Sequence, residues 1–145
     1  MSRSRQACAL LIIAFAAVAC GGGGGTSENP AILQPSTTAH DLNTVTCAPS
    51  GTSLVLSADN IAYDKDCLAA PAGQAFTIAF ANRQKGISHN VVILKSQGGD
   101  VLFRGGDPFP GVKTQVYNAP PLPAGEYHFH CEVHPDAMQG KFIVS

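Results

Sequence analysis

Beyond Thr52 the chain is cut so closely by glycine, proline, asparagine and aspartate that no segment of helical period and useful length survives. What remains is a series of strand-length apolar runs: Ser53–Ser57, Ala75–Ala81, Asn90–Leu94, Val101–Phe103, Thr114–Tyr117, Glu126–Cys131 and Lys141–Val144. In the second, Phe76, Ile78 and Phe80 recur every other residue, so they share one face of a half-buried strand. Pro71-Ala-Gly73, Gly98-Gly-Asp100, Gly105-Gly-Asp-Pro108 and Pro120-Pro-Leu-Pro123 supply the turns. Short strands at this spacing imply an all-β domain, a Greek-key β-sandwich of about seven or eight strands, with loops gathered at its two ends where a site can be built on a rigid frame.

The N-terminal region has a different character. Arg3 and Arg5 precede eleven apolar residues, Ala9 to Ala19, and then Cys20. Eleven are too few to span a bilayer, which takes about 20. A basic start, a short apolar run and small residues at its end read as an export signal over residues 1–19. Ala17-Val-Ala-Cys20 resembles a bacterial lipobox, which implies lipidation of Cys20, cleavage before it and a membrane anchor in the cell envelope. Gly21 to Gly25 then opens a stretch without apolar periodicity, read as a flexible tether over 20–45 with a reach of about 25–30 Å. The folded domain is expected over 46–145. Loss of Arg3 and Arg5 with the signal makes it more acidic than the formal net charge of −1 of the whole chain. The 9 Lys and Arg are scattered singly, so no basic stripe exists for nucleic acid. A chain of 145 residues has room for one such domain and for no second catalytic one.

The chemistry is concentrated near the C-terminus. Cys131-x-x-His134-x-x-x-Met138 lies between the last two strands, and His89 stands 42 residues before Cys131 at the head of the run His89-Asn-Val-Val-Ile93. Two imidazoles and a thiolate with a weak thioether form the ligand set of mononuclear electron-transfer copper, whereas structural zinc takes Cys and His without Met. Pro135 stiffens the loop, and Gly140 is expected to free the backbone as it enters the final strand. Alternation puts Tyr127, Phe129 and Cys131 on the core face of their strand and His128 and His130 on the other, where solvent exposure is expected.

With His89-Asn90, Gly125-x-Tyr127-x-Phe129-x-Cys131, His134, Met138 and Gly140 in place, the chain resembles the cupredoxins, the type 1 blue copper proteins that include plastocyanin, azurin and amicyanin. The resemblance runs over about Thr52–Ser145. It implies one copper ion held by His89, Cys131 and His134 with Met138 axial, and an Asn90 side chain bonding across to the Cys131 loop. It also implies electron exit at His134 through an apolar rim, for which Pro108, Phe109, Pro110 and Pro135 are the candidates.

Cys8 leaves with the signal, Cys20 is assigned to lipid and Cys131 to metal, so Cys47 and Cys67 remain: a disulfide formed in an oxidising compartment, or two buried thiols. A multicopper oxidase would need further histidines beside the cysteine, where Glu132 stands, and a binuclear copper centre would need a second cysteine in the loop. The expectation is a monomeric, lipid-anchored electron carrier, not an enzyme, serving redox partner proteins outside the cytoplasmic membrane. A copper carrier or store without redox work is the alternative.

Overall fold

The computed structural model describes residues 41–145. The signal segment, Cys20 and most of the tether lie outside the described residues. Among the described residues there are strands and no helix.

One sheet has the order β2 (Ala62–Tyr63), β1 (Ser53–Asp59), β4 (Phe76–Asn82) and β9 (Lys113–Ala119). The other has the order β3 (Cys67–Ala70), β11 (Gln139–Val144), β10 (Gly125–His130), β6 (Val92–Leu94) and β7 (Val101–Arg104). A separate antiparallel pair joins β5 (Ser88–His89) to β8 (Phe109–Pro110). The pairs β1/β4 and β3/β11 are parallel and the remaining pairs antiparallel. The chain therefore crosses repeatedly between the layers, as a Greek-key sandwich requires.

All seven apolar runs become strands. The four that the pattern does not show are β2, β5 and β8, of two residues each, and β3, whose Cys67-Leu-Ala-Ala70 has no alternation. Period 2 needs more than two residues to register, and a strand buried on both faces carries no period at all.

The core lies between the sheets. Phe76, Ile78 and Phe80 of β4 are buried, and the parallel register sets Leu54 beside Ile78 and Leu56 beside Phe80. Phe76 stacks on Phe142 of the opposite sheet at 5.2 Å between ring centres, and Tyr63 meets Phe129 at 5.4 Å. Each such large side chain taken fully out of water contributes about 1.5–3 kcal/mol.

Cys47 and Cys67 are joined in a disulfide, with Cα atoms 6.0 Å apart and 20 residues of sequence separation. Closing a loop of that length restricts the unfolded chain by about 3 kcal/mol. The bond ties the entry segment to β3. Nearby, Lys141 Nζ donates to Asn43 O at 3.5 Å, so residues ahead of Cys47 also lie against β11.

This corrects the expectation for His128, which is buried. The outer face of the five-stranded sheet is covered: Leu42, Asn43, Ser96 and Gln97 border the same cavity as His128 and Lys141, and Gln97 Nε2 reaches over to Gln139 Oε1 at 3.1 Å. Val92 and Leu94, on that face, are likewise buried.

Candidate metal centre

Three ligand atoms converge at one end of the sandwich: the ring nitrogens of His89 and His134 and the sulfur of Cys131, each with an atom within 4.8 Å of the others. Cys131 Sγ lies 3.8 Å from His89 Nδ1 and 4.0 Å from His134 Nδ1. The two imidazoles stand 5.0 Å apart between centres, tilted by 52°. His89 and Cys131 are buried, His134 is half-buried, and Met138 is buried in the same apolar cluster as Cys131.

Alternation along β10 explains how the thiol arrives there. Tyr127 and Phe129 pack inward, and Cys131, the next residue on that face, ends the row of core rings. The loop then closes on itself: His134 N donates to Cys131 O at 3.2 Å, Met138 N to His134 O at 2.9 Å, and Cys131 N to Met138 O at 2.9 Å. Return into β11 requires glycine at 140 for want of space rather than for backbone freedom. A Cβ there would stand 2.3 Å from the Phe129 ring and 2.7 Å from Asp66 O.

His89 arrives from β5, and its neighbour Asn90 fastens the two ligand segments together. Asn90 Oδ1 accepts from Glu132 N at 3.0 Å, and Asn90 Nδ2 donates to Gly106 O at 3.0 Å and to Glu132 Oε2 at 2.5 Å. The Glu132 carboxylate in turn receives Arg104 Nε at 2.8 Å, and Arg104 Nη1 also donates to Asp107 at 2.7 Å. Tyr63 Oη donates to Asn90 O at 2.6 Å. Burial, with the Cys131 and Tyr117 charges adding to it, raises the Tyr63 phenol well above its ordinary range, so it remains a donor.

Burial, followed by repulsion from His134, lowers the affinity of His89 for a proton, with Asp59 pulling weakly the other way. A neutral imidazole is the form that can ligate. The remaining nitrogen of His89, Nε2, lies 2.8 Å from Gln84 Oε1.

The structure thus brings His89, Cys131, His134 and Met138 to one end of the sandwich with Asn90 beside them. Of the expected rim, Pro110 and Pro135 are exposed and Pro108 is half-buried, but Phe109 is not on the surface: it is buried against Phe80 at 5.8 Å between ring centres. The exposed apolar side chains on the segments framing the site are instead Ile61, Ile87, Val112 and Val133. Sequence reasoning also passed over Gln84, Arg104 and the Glu132 carboxylate. Nothing in their local pattern marks them, since Gln84 is oriented by Ile61, 23 residues away, and Arg104 meets Glu132 across 28.

The model of the cupredoxin-like domain family matches residues 36–144. Among solved structures, the dithionite-reduced auracyanin of Roseiflexus castenholzii superposes with a TM-score of 0.57 at 22% identity, covering 65% of this chain and 97% of its own. Auracyanin A of the green thermophilic photosynthetic bacterium Chloroflexus aurantiacus, described as a "blue" copper protein, gives 0.57 at 21% identity, covering 66% and 99%. At these identities the likeness is one of fold. No curated protein sequence matches the chain.

Proposed function

This chain belongs to the cupredoxin-like domain family, and from that premise we propose that it is a type 1 copper protein carrying single electrons between redox partners outside the cytoplasmic membrane. The observation that carries the reading is the convergence of His89 Nδ1, Cys131 Sγ and His134 Nδ1, with the loop that also bears Met138 closed on itself.

The donor set fits copper. Two imidazole nitrogens and a thiolate suit both of its oxidation states, and the nearby thioether is a soft ligand that zinc sites do not use. Copper bound there supplies a one-electron couple. The protein's own share is preorganisation. His89 and Cys131 are sealed from water by the core, and the 131–138 loop is set by its backbone bonds before any ion arrives. Asn90 holds the His89 segment against Glu132, so the two ligand segments keep one spacing. His134 is the partly exposed ligand, and the exposed side chains of Val133 and Pro135 on either side of it offer a partner apolar contact.

Localisation rests on the N-terminal sequence: the basic start, the apolar run and Cys20 support export and a lipid anchor in the cell envelope. A diacyl mass on Cys20 in the membrane fraction is the expected finding, and an unmodified N-terminus there overturns the anchor.

The function is tested on the copper-loaded protein by visible absorption and redox titration. An intense thiolate-to-copper band and a reversible one-electron couple are expected, and Cys131→Ser should abolish the band completely. A colourless protein that hands on Cu(I) readily would make it a carrier or store instead.

A further inference from the structure

We propose that Gln84 is a positioning residue that decides which nitrogen of His89 faces the ligand cluster. The identity of the ion rests on the copper reading above, but the tautomer does not.

One group in this cluster has no choice of role. The backbone N–H of Ile61 can only donate, and it lies 2.9 Å from Gln84 Oε1. A side-chain amide has nearly the same shape whichever way round it sits, so its orientation follows from its partners. Turned the other way, the Gln84 amide would set its NH₂ against the Ile61 N–H, donor against donor. The oxygen therefore faces inward. That same oxygen is 2.8 Å from His89 Nε2, and an acceptor there requires the proton on Nε2. Nδ1 is then left with a bare lone pair, on the side where Cys131 Sγ stands 3.8 Å away.

Each member of this relay is itself held. Ile61 follows Asn60 in a turn with both residues in the left-handed region, at φ 55° and 49°, which aims the Ile61 N–H at Gln84. Gln84 N donates to Asn82 Oδ1 at 3.0 Å, and the fully buried Asn82 donates through Nδ2 to Ile87 O at 2.8 Å and to Phe109 O at 2.7 Å. Gly111 packs so closely that a Cβ there would lie 2.4 Å from Gln84 O. The order in this group runs from a turn at the end of β1, through one side-chain amide, to a ring nitrogen.

The test uses the full chain, ¹⁵N-labelled and metal-free at mildly alkaline pH, and reads the His89 tautomer from long-range ¹H–¹⁵N correlations. The wild type is expected to show the Nε2–H form alone. Gln84→Leu should show a substantial Nδ1–H population, and by competition with a chromogenic chelator its Cu(I) affinity should fall about 10–100-fold. Gln84→Glu retains an acceptor at the same place and should restore both. A wild-type protein in the Nδ1–H form, or Gln84→Leu with tautomer and affinity unchanged, overturns the proposal. Should Gln84→Leu fail to fold, the wild type and Gln84→Glu decide it through their tautomers. If the tautomers behave as expected but no variant binds copper, the positioning role stands and the copper reading falls.

Discussion

The two segments that carry the ligands are ordered in different ways. The Cys131–Met138 loop is held by its own backbone, through three hydrogen bonds between residues no more than seven apart. His89 sits in a two-residue strand that could not hold itself, and its ring is held through Gln84 by Ile61, 23 residues from Gln84, and through Asn82 by Phe109, 27 residues from Asn82. The locally ordered loop carries the partly exposed His134 between the buried Cys131 and Met138, whereas the tertiary scaffold delivers a single buried ligand. Support follows position in the chain rather than exposure: residues gathered in one short loop can be ordered by its own backbone bonds, while a lone ligand needs partners from elsewhere in the fold.

The most severe way to break the tertiary side is Asn82→Ala. It orphans two carbonyls and one amide, at about 1–3 kcal/mol for each buried partner, so a loss of about 3 kcal/mol or more is expected in urea unfolding of the metal-free protein. An unchanged midpoint would mean that the His89 segment is not ordered as described. The corresponding test of the local side is Gly140→Ala, which forces a methyl group against Phe129 and Asp66 O. A loss of about 1–3 kcal/mol is expected, together with a displaced loop seen as shifted amide resonances over 131–138.

A smaller effect should appear on the covered outer face. Burial, then repulsion from His130, depresses the pKa of His128. As the pH falls below about 6.5 the unfolded chain takes up this proton first, so the folded state loses stability from that pH downward until its own form protonates. His128→Gln should therefore flatten the decline of the urea midpoint between about pH 7 and 5, by no more than about 1.4 kcal/mol per pH unit. His130 and His89, also depressed, keep some of the slope in the variant. An identical decline in the two proteins would mean that His128 is solvated. The smallest effect is expected from Glu132→Gln, because the amide oxygen still accepts from Asn90 Nδ2 and the Arg104 pair that is weakened is partly exposed and screened by water. No resolvable change in the urea midpoint should accompany it, and the amide hydrogen at position 132, held by Asn90 Oδ1, should exchange as slowly as before.

These differences also explain what could be read without coordinates. The seven strands that grow from apolar runs, the Cys131, His134 and Met138 loop and the core face of β10 are all written in neighbouring residues, through period 2 and short spacings. His89 was found by its chemistry and its neighbour Asn90, not by anything that showed how it is held. At Gly140 the sequence suggests backbone freedom; the packing shows instead that the Phe129 ring and Asp66 O leave no room for a Cβ. Phe109, expected at the surface, fills the core because β8 pairs with β5 beneath Phe80.

A β-sandwich and the chemical nature of a thiolate, imidazole and thioether cluster can be read from residue order, because periodicity and spacing are properties of residues close along the chain. That His128 is covered, that Phe109 is buried and that Gln84 turns its oxygen toward His89 became visible only in three dimensions. Burial and amide orientation depend on atoms that arrive from tens of residues away, and no local pattern records them.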